Sequence, residues 1–224
     1  MDQAQDSIGH SKPLAIIGTA LALGLPMATL LLGRLGVADG ISPFKEAIWW
    51  GMALVILLWA VQVERQPLAA LGFKRPTWGT LGWGLLSGFV LILLIGACYA
   101  LLFPALGIKT DPKALNTIAS QPVWMIFFLA LRAGFVEELL FRFYPITRLH
   151  WLTGNKWIAS LIPGVIFIGM HAPSWGLAHL IPVSMAALAL TLLYWKRRDF
   201  WCSAFAHFLA DFIPFAMAAM AMRH

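Results

Sequence analysis

Long apolar runs dominate this chain and decide what it can fold into. They cover 13–35, 45–63, 79–103, 122–149, 156–172, 175–195 and 200–222, each close to the ~20 residues that cross the hydrocarbon core of a bilayer as a helix. Water is absent at that depth, so a single run must bond its own amides and carbonyls, which a helix does. The expected fold class is all-α, a polytopic transmembrane helical bundle of about seven spans (six to eight). Composition enters as a check: 60% of the 224 residues are hydrophobic and 12% are charged, about half the charged share of an ordinary soluble domain. The net charge of +6 then belongs to loop topology rather than to a nucleic acid, since no soluble segment is long enough to hold one.

Two stretches between the runs do not span. "ERQPLAALGFKRPTWGT" contains Pro67, Gly72 and Pro76, which argue against a span, while Leu68, Leu71 and Phe73 point to a short interfacial segment. The stretch 104–122 is bounded by prolines and carries its own polar residues. No repeat or low-complexity tract divides the chain, so residues 1–224 read as one transmembrane domain with a motif-bearing core at 122–222.

The N-terminus has Asp2 and Asp6 against a lone Lys12, a poor signal-peptide n-region, so the first run reads as an uncleaved span. With seven spans, nine cations (Lys12, Arg65, Lys74, Arg75, Arg148, Lys156, Lys196, Arg197, Arg198) fall on one side and five (Arg34, Lys45, Lys109, Lys113, Arg223) on the other. That bias places the N-terminus in the cytoplasm of a multi-pass protein in the cell inner (cytoplasmic) membrane, and it depends on the span count being odd. Cys98 and Cys202 have no CxxC spacing and read as free thiols.

The informative residues are ionisable groups inside the spans. Seven of the ten carboxylates (Asp2, Asp6, Asp39, Glu46, Glu64, Asp111 and Asp199) fall in tails, loops or span ends, leaving Glu137, Glu138 and Asp211 inside. Among the six histidines, His171, His179 and His207 are inside. An intramembrane charge costs at least ~2.5–3.5 kcal/mol on insertion scales, so such groups face polar cavities and pair with one another. Glu138 and Arg142 stand four apart and share a helix face, the spacing of an ion pair. Glu137 is rotated about 100° away, which leaves it unpaired and suited to accepting a proton. Arg132 is either a cavity cation or a long side chain snorkelling to the interface.

Two other runs carry "FIGMH" (Phe167 to His171) and "HFLAD" (His207 to Asp211), in each of which the four-residue spacing stacks both ends on one face. Pro145 and Pro214 each remove a helical amide near these charges, so both polar helices are expected to bend or loosen there. Taken singly, each feature has a structural reading: Glu138–Arg142 as helix glue, His171 as a hydrogen-bonded packing residue over Phe167, and His179 as a residue without a partner at useful spacing. The coincidence of a Glu doublet, a His and a His/Asp pair on three spans points to chemistry.

Together, EExxxR as "EELLFR" (Glu137–Arg142), FxxxH as Phe167–His171 and HxxxD as His207–Asp211 resemble the CPBP intramembrane proteases, which include the type II CAAX prenyl endopeptidases and bacteriocin-processing relatives. The resemblance covers about 137–211. It implies an endopeptidase that hydrolyses a peptide bond of a membrane-anchored protein or peptide by glutamate-activated water. Carried over, Glu137 is the base, His171 its partner, and His207 with Asp211 the oxyanion side, while Glu138 and Arg142 hold the first glutamate and Phe167 supports His171.

One departure concerns Asp211, where the prenyl-protease members commonly have asparagine. An amide donates to an oxyanion, whereas an ionised aspartate only accepts. Asp211 must then be protonated, orient His207, or join Glu137, His171 and His207 as a zinc ligand. HExxH is absent, and the reading favoured here needs no obligatory cofactor, with zinc as the alternative. The rival functions are a proton-coupled membrane transporter, which also needs buried Glu, His and Asp, and an inactive family member acting as a membrane adaptor.

Overall fold

The computed structural model describes residues 11–34 and 44–223, and Asp2, Asp6 and Asp39 lie outside them. The described residues form helices α1 (Lys12–Arg34), α2 (Lys45–Leu58), α3 (Trp78–Ala97), α4 (Phe103–Leu106), α5 (Lys113–Ala119), α6 (Val123–Arg132), α7 (Tyr144–Thr153), α8 (Lys156–Trp175), α9 (Leu180–Arg197) and α10 (Phe200–Ala221), with no strand among them. Five helical runs are long and apolar enough to cross a membrane: Lys12–Leu32, Lys45–Val63, Trp78–Leu106, Lys156–Trp175 and Phe200–Ala221. The other two expected spans are also helical. One is a continuous run from α6 through α7 that is interrupted by charges, and the other is α9, which begins only at Leu180 and ends on Lys196 and Arg197.

Helix starts follow local chemistry. Thr77 and Thr80 form a reciprocal capping box at α3, and Asn155 Oδ1 accepts from the amides of Trp157 (2.9 Å) and Ile158 (3.2 Å) at α8. Asp199 caps α10 by accepting from Cys202 N, and its second carboxylate oxygen accepts from Thr80 Oγ1 at 2.6 Å, which ties α10 to α3 across 119 residues of chain. Gly154 ends α7 in the left-handed conformation at φ 64°, allowing the tight turn into α8.

The α6–α7 run is the axis of the bundle. Val136, Leu139, Leu140, Phe143 and Tyr144 are all buried in the main core, beneath α1, α2, α8 and the start of α10. Close approach uses missing side chains. A Cβ on Gly134 would lie 2.6 Å from the Ala204 carbonyl oxygen and 3.0 Å from the Phe208 amide, and one on Gly88 would lie 3.2 Å from the Ala206 carbonyl. With Gly84, Gly88 makes a small-xxx-small face on α3 that receives α10, as expected where helices associate by packing rather than by exclusion of water.

The segment expected to lie at the interface packs onto the bundle. Leu68–Leu71 is one 3-10 turn, Leu71 is buried, and Phe73 stacks on Phe200 at 4.0 Å while the Phe200 amide donates to the Gly72 carbonyl. Of the two expected loosenings, the one near Pro145 is present, as π-helical turns at residues 133–143, whereas α10 stays α-helical through Pro214.

Glu64 and Arg148, read from sequence as a span end and a loop cation, are a buried pair. Arg148 Nε and Nη2 donate to Glu64 Oε2 at 2.9 and 2.5 Å, and the Tyr144 hydroxyl donates to Glu64 Oε1 at 2.8 Å. They fasten the end of α2 to α7 inside the core. Arg148→Ala strands the Glu64 carboxylate, a loss of typically ~3–5 kcal/mol, whereas Tyr144→Phe removes one charge-assisted bond worth ~1.5–3 kcal/mol. Thermal unfolding of the detergent-solubilised protein should rank the variants in that order, and a wild-type melting temperature for Arg148→Ala would contradict the assignment.

Candidate active site

The π-helical turns rearrange the glutamate doublet. In an α-helix, residues five apart point in different directions, but i→i+5 hydrogen bonding at Ala133–Glu137 returns the fifth residue to the same side. Arg132 Nη1 thereby donates to Glu137 Oε1 at 2.5 Å, and Arg132 Nε donates to Glu46 Oε2 at 3.2 Å. Glu137 is therefore ion-paired, not unpaired as its spacing from Arg142 predicts. Arg132 resolves as a cavity cation seated over the Trp49 ring at 5.1 Å.

Glu138 points the other way, with none of its side chain exposed. Its Oε1 accepts from Arg142 Nη1, as the four-residue spacing predicts, and also meets His207 Nδ1 at 2.9 Å. A carboxylate oxygen only accepts, so His207 Nδ1 carries the hydrogen. The partner that Glu138 holds is thus His207 on α10, not Glu137. The close approach at Gly134 explains how these helices come within reach, since it seats the π turn against the α10 turn that precedes His207.

His207 Nε2 faces Asp211 Oδ2 at 3.7 Å and Glu137 Oε2 at 4.0 Å. Glu137, Glu138, His207 and Asp211 therefore form one cluster, with Asp211 the most accessible at 25% side-chain exposure. His171 approaches from α8. Its Nδ1 lies 2.8 Å from the Phe167 carbonyl, which also only accepts, so Nδ1 holds a hydrogen and Nε2 is the nitrogen left to the cavity. The ring packs on Phe167 with centroids 4.7 Å apart, and the Arg142 guanidinium lies 4.8 Å from the same Phe167 ring. His171 and Glu137 line one cavity of about 130 Å³ with Lys45, Arg132, Phe167 and Trp175.

Among the described residues no three His, Cys, Asp or Glu side chains form a ready metal-binding group. His207 presents only Nε2 to the cluster, because Nδ1 is committed to Glu138.

His179 is better connected than its sequence position implies. Its Nδ1 bonds the Tyr99 hydroxyl, its ring stacks on Trp175 at 4.4 Å, and it faces His171 at 6.4 Å. Sequence reasoning missed this contact and the Arg132–Glu46 pair; both join residues at least 80 apart, and the only signal for the latter is a cation within a span that has no partner four residues away.

No curated protein and no solved structure matches the chain. The family model described as "Type II CAAX prenyl endopeptidase Rce1-like" matches residues 119–213. That segment contains Arg132, the whole Glu137–Arg142 motif, His171, His207 and Asp211, so the converging side chains and the family match coincide. Residues 119–213 thus match the type II CAAX prenyl endopeptidase family model, and the match supports the CPBP intramembrane proteases that the three motifs resemble.

Proposed function

We propose that this CAAX-type protease cleaves a membrane-anchored protein or peptide in a glutamic mechanism, with Glu137 as the general base. The observation that carries the reading is the meeting of Glu137, His207 and Asp211 within 4.0 Å across two helices, beside the cavity wall that bears His171. Arg132 balances the Glu137 carboxylate, the form able to take a proton. A water in the cavity gives its proton to Glu137 as its oxygen attacks the scissile carbonyl carbon, with the His171 Nε2 lone pair available to orient it. The carbonyl oxygen gains the negative charge and is met by the Nε2–H of His207 in its imidazolium form, whose other hydrogen, on Nδ1, is held by Glu138 so that Nε2 faces the cluster. As the C–N bond breaks, the proton held by Glu137 passes to the departing amine, and the carboxylate is restored.

Asp211 lies beside Nε2, where it orients His207 or, when protonated, donates to the oxyanion. In the zinc alternative, Glu137, His171 Nε2, His207 Nε2 and Asp211 are the available donors, and the metal would polarise the carbonyl or the attacking water. The protein would act in the cell inner membrane with its N-terminus in the cytoplasm. The family match favours hydrolysis over proton-coupled transport.

Two experiments test this reading. Glu137→Gln and His171→Ala should each reduce cleavage of co-expressed membrane-anchored reporter peptides, read by mass spectrometry, by ~100-fold or more, at unchanged membrane levels. Full activity in the first variant removes the base, and full activity in the second removes its partner. Asp211→Asn should keep substantial activity and chelators should do little, because the amide supplies a donor of similar size. Stoichiometric zinc in the active enzyme, lost together with activity in Asp211→Asn, would establish the metal route instead.

A further inference from the structure

The first turn of α3 is surrounded by cations from two distant parts of the chain. Lys74 and Arg75 immediately precede it, and the Phe73 ring, stacked on Phe200, holds that segment against the start of α10. Lys196 and Arg197 close α9 on the other side. Lys196 Nζ sits 4.1 Å above the Trp83 ring, the Arg197 guanidinium 5.7 Å from it, and Arg197 Nη2 is 3.3 Å from where a Cβ on Gly79 would stand. None of these four cations forms an ion pair among the described residues. The nearby carboxylate, Asp199, is buried and committed to Thr80 and the Cys202 amide.

The surroundings of these cations are apolar. Pro76, Thr77, Trp78 and Leu81, which follow Lys74 and Arg75 in the chain, line a surface cavity of about 280 Å³, and Trp78 is 88% exposed. Below it on the same helix face, Leu81 and Leu85 are exposed along the span. Unpaired positive charge at the end of a span, an outward tryptophan and an apolar track running into the membrane match an anionic headgroup with its acyl chains.

We propose that this end of the bundle binds the phosphate of an anionic phospholipid, with Lys74, Arg75, Lys196 and Arg197 as its cations and the acyl chains lying along Trp78, Leu81 and Leu85. The site is separate from the catalytic cluster, and its existence does not depend on the proteolytic mechanism.

The test is native mass spectrometry of the full chain in detergent, titrated with phosphatidylglycerol and with phosphatidylcholine of the same acyl chains. Wild type should prefer phosphatidylglycerol. Lys196→Gln/Arg197→Gln and Lys74→Gln/Arg75→Gln should each weaken phosphatidylglycerol binding on the order of 25-fold, the effect of losing two interfacial cations. Phosphatidylcholine binding should hardly change, and Lys109→Gln/Lys113→Gln, on the link after α4 and at the first residue of α5, should bind both lipids as wild type does. Lys74 and Arg75 are exposed, so the second pair decides the matter even if the first unfolds. Unchanged phosphatidylglycerol affinity in the Lys74/Arg75 variant, or equal losses for both lipids, would overturn the proposal. So would displacement of the lipid by inorganic phosphate, which would make the ligand a free anion.

Discussion

Glu138 has no exposed surface, and its Oε1 takes both Arg142 and His207 while its Oε2 has no hydrogen-bond partner among the described residues. Water cannot share the charge of a carboxylate at that depth, so these two donors must carry it. One belongs to its own helix and the other to α10, which makes the bond to His207 both a link between spans and a constraint on the imidazole. The hydrogen on Nδ1, the direction of Nε2 and the nearness of Asp211 all follow from it. A single buried carboxylate therefore joins the stability of the bundle to the geometry of its chemistry.

That bond requires backbones closer than ordinary side chains allow. Gly134 faces the Ala204 carbonyl and the Phe208 amide, and Gly84 and Gly88 do the same service between α3 and α10. The π turns around Gly134 then rotate the two glutamates relative to their neighbours. Glu137 swings to Arg132 while Glu138 keeps the four-residue partner that an α-helix would give it. Extra backbone turn at 133–143 thus separates the adjacent glutamates into different environments, the condition for giving them different roles.

The parts legible in the sequence were those with local periodicity. Apolar runs marked the helices, and four-residue spacing put Glu138 on Arg142, Phe167 beneath His171, and His207 on the same side as Asp211. What escaped was either long-range or dependent on non-α geometry. Arg132–Glu137 is a five-residue pair that an α-helical wheel places apart, and Glu64–Arg148 and Tyr99–His179 join positions at least 80 apart in the chain. Hydropathy ranked Glu64 and Arg148 as boundary residues because it counts charges singly, whereas a mutual pair enters the core as a unit.

Charge in the cluster does not balance without a proton. Glu137, Glu138 and Asp211 carry up to three negative charges against two positive ones on Arg132 and Arg142, and part of the Arg132 charge is drawn toward the half-exposed Glu46. Neutrality in a low-dielectric site calls for at least one more proton, shared among His207, His171 and the carboxylates. Peptide hydrolysis has a use for such a proton, since one must travel from water to a departing amine. With asparagine at position 211, two carboxylates would face two guanidinium groups and the same site would be neutral with both histidines uncharged. The aspartate therefore changes the proton inventory of the cluster as well as the hydrogen-bonding capacity beside His207, and any mechanism written for this chain must say where that proton resides.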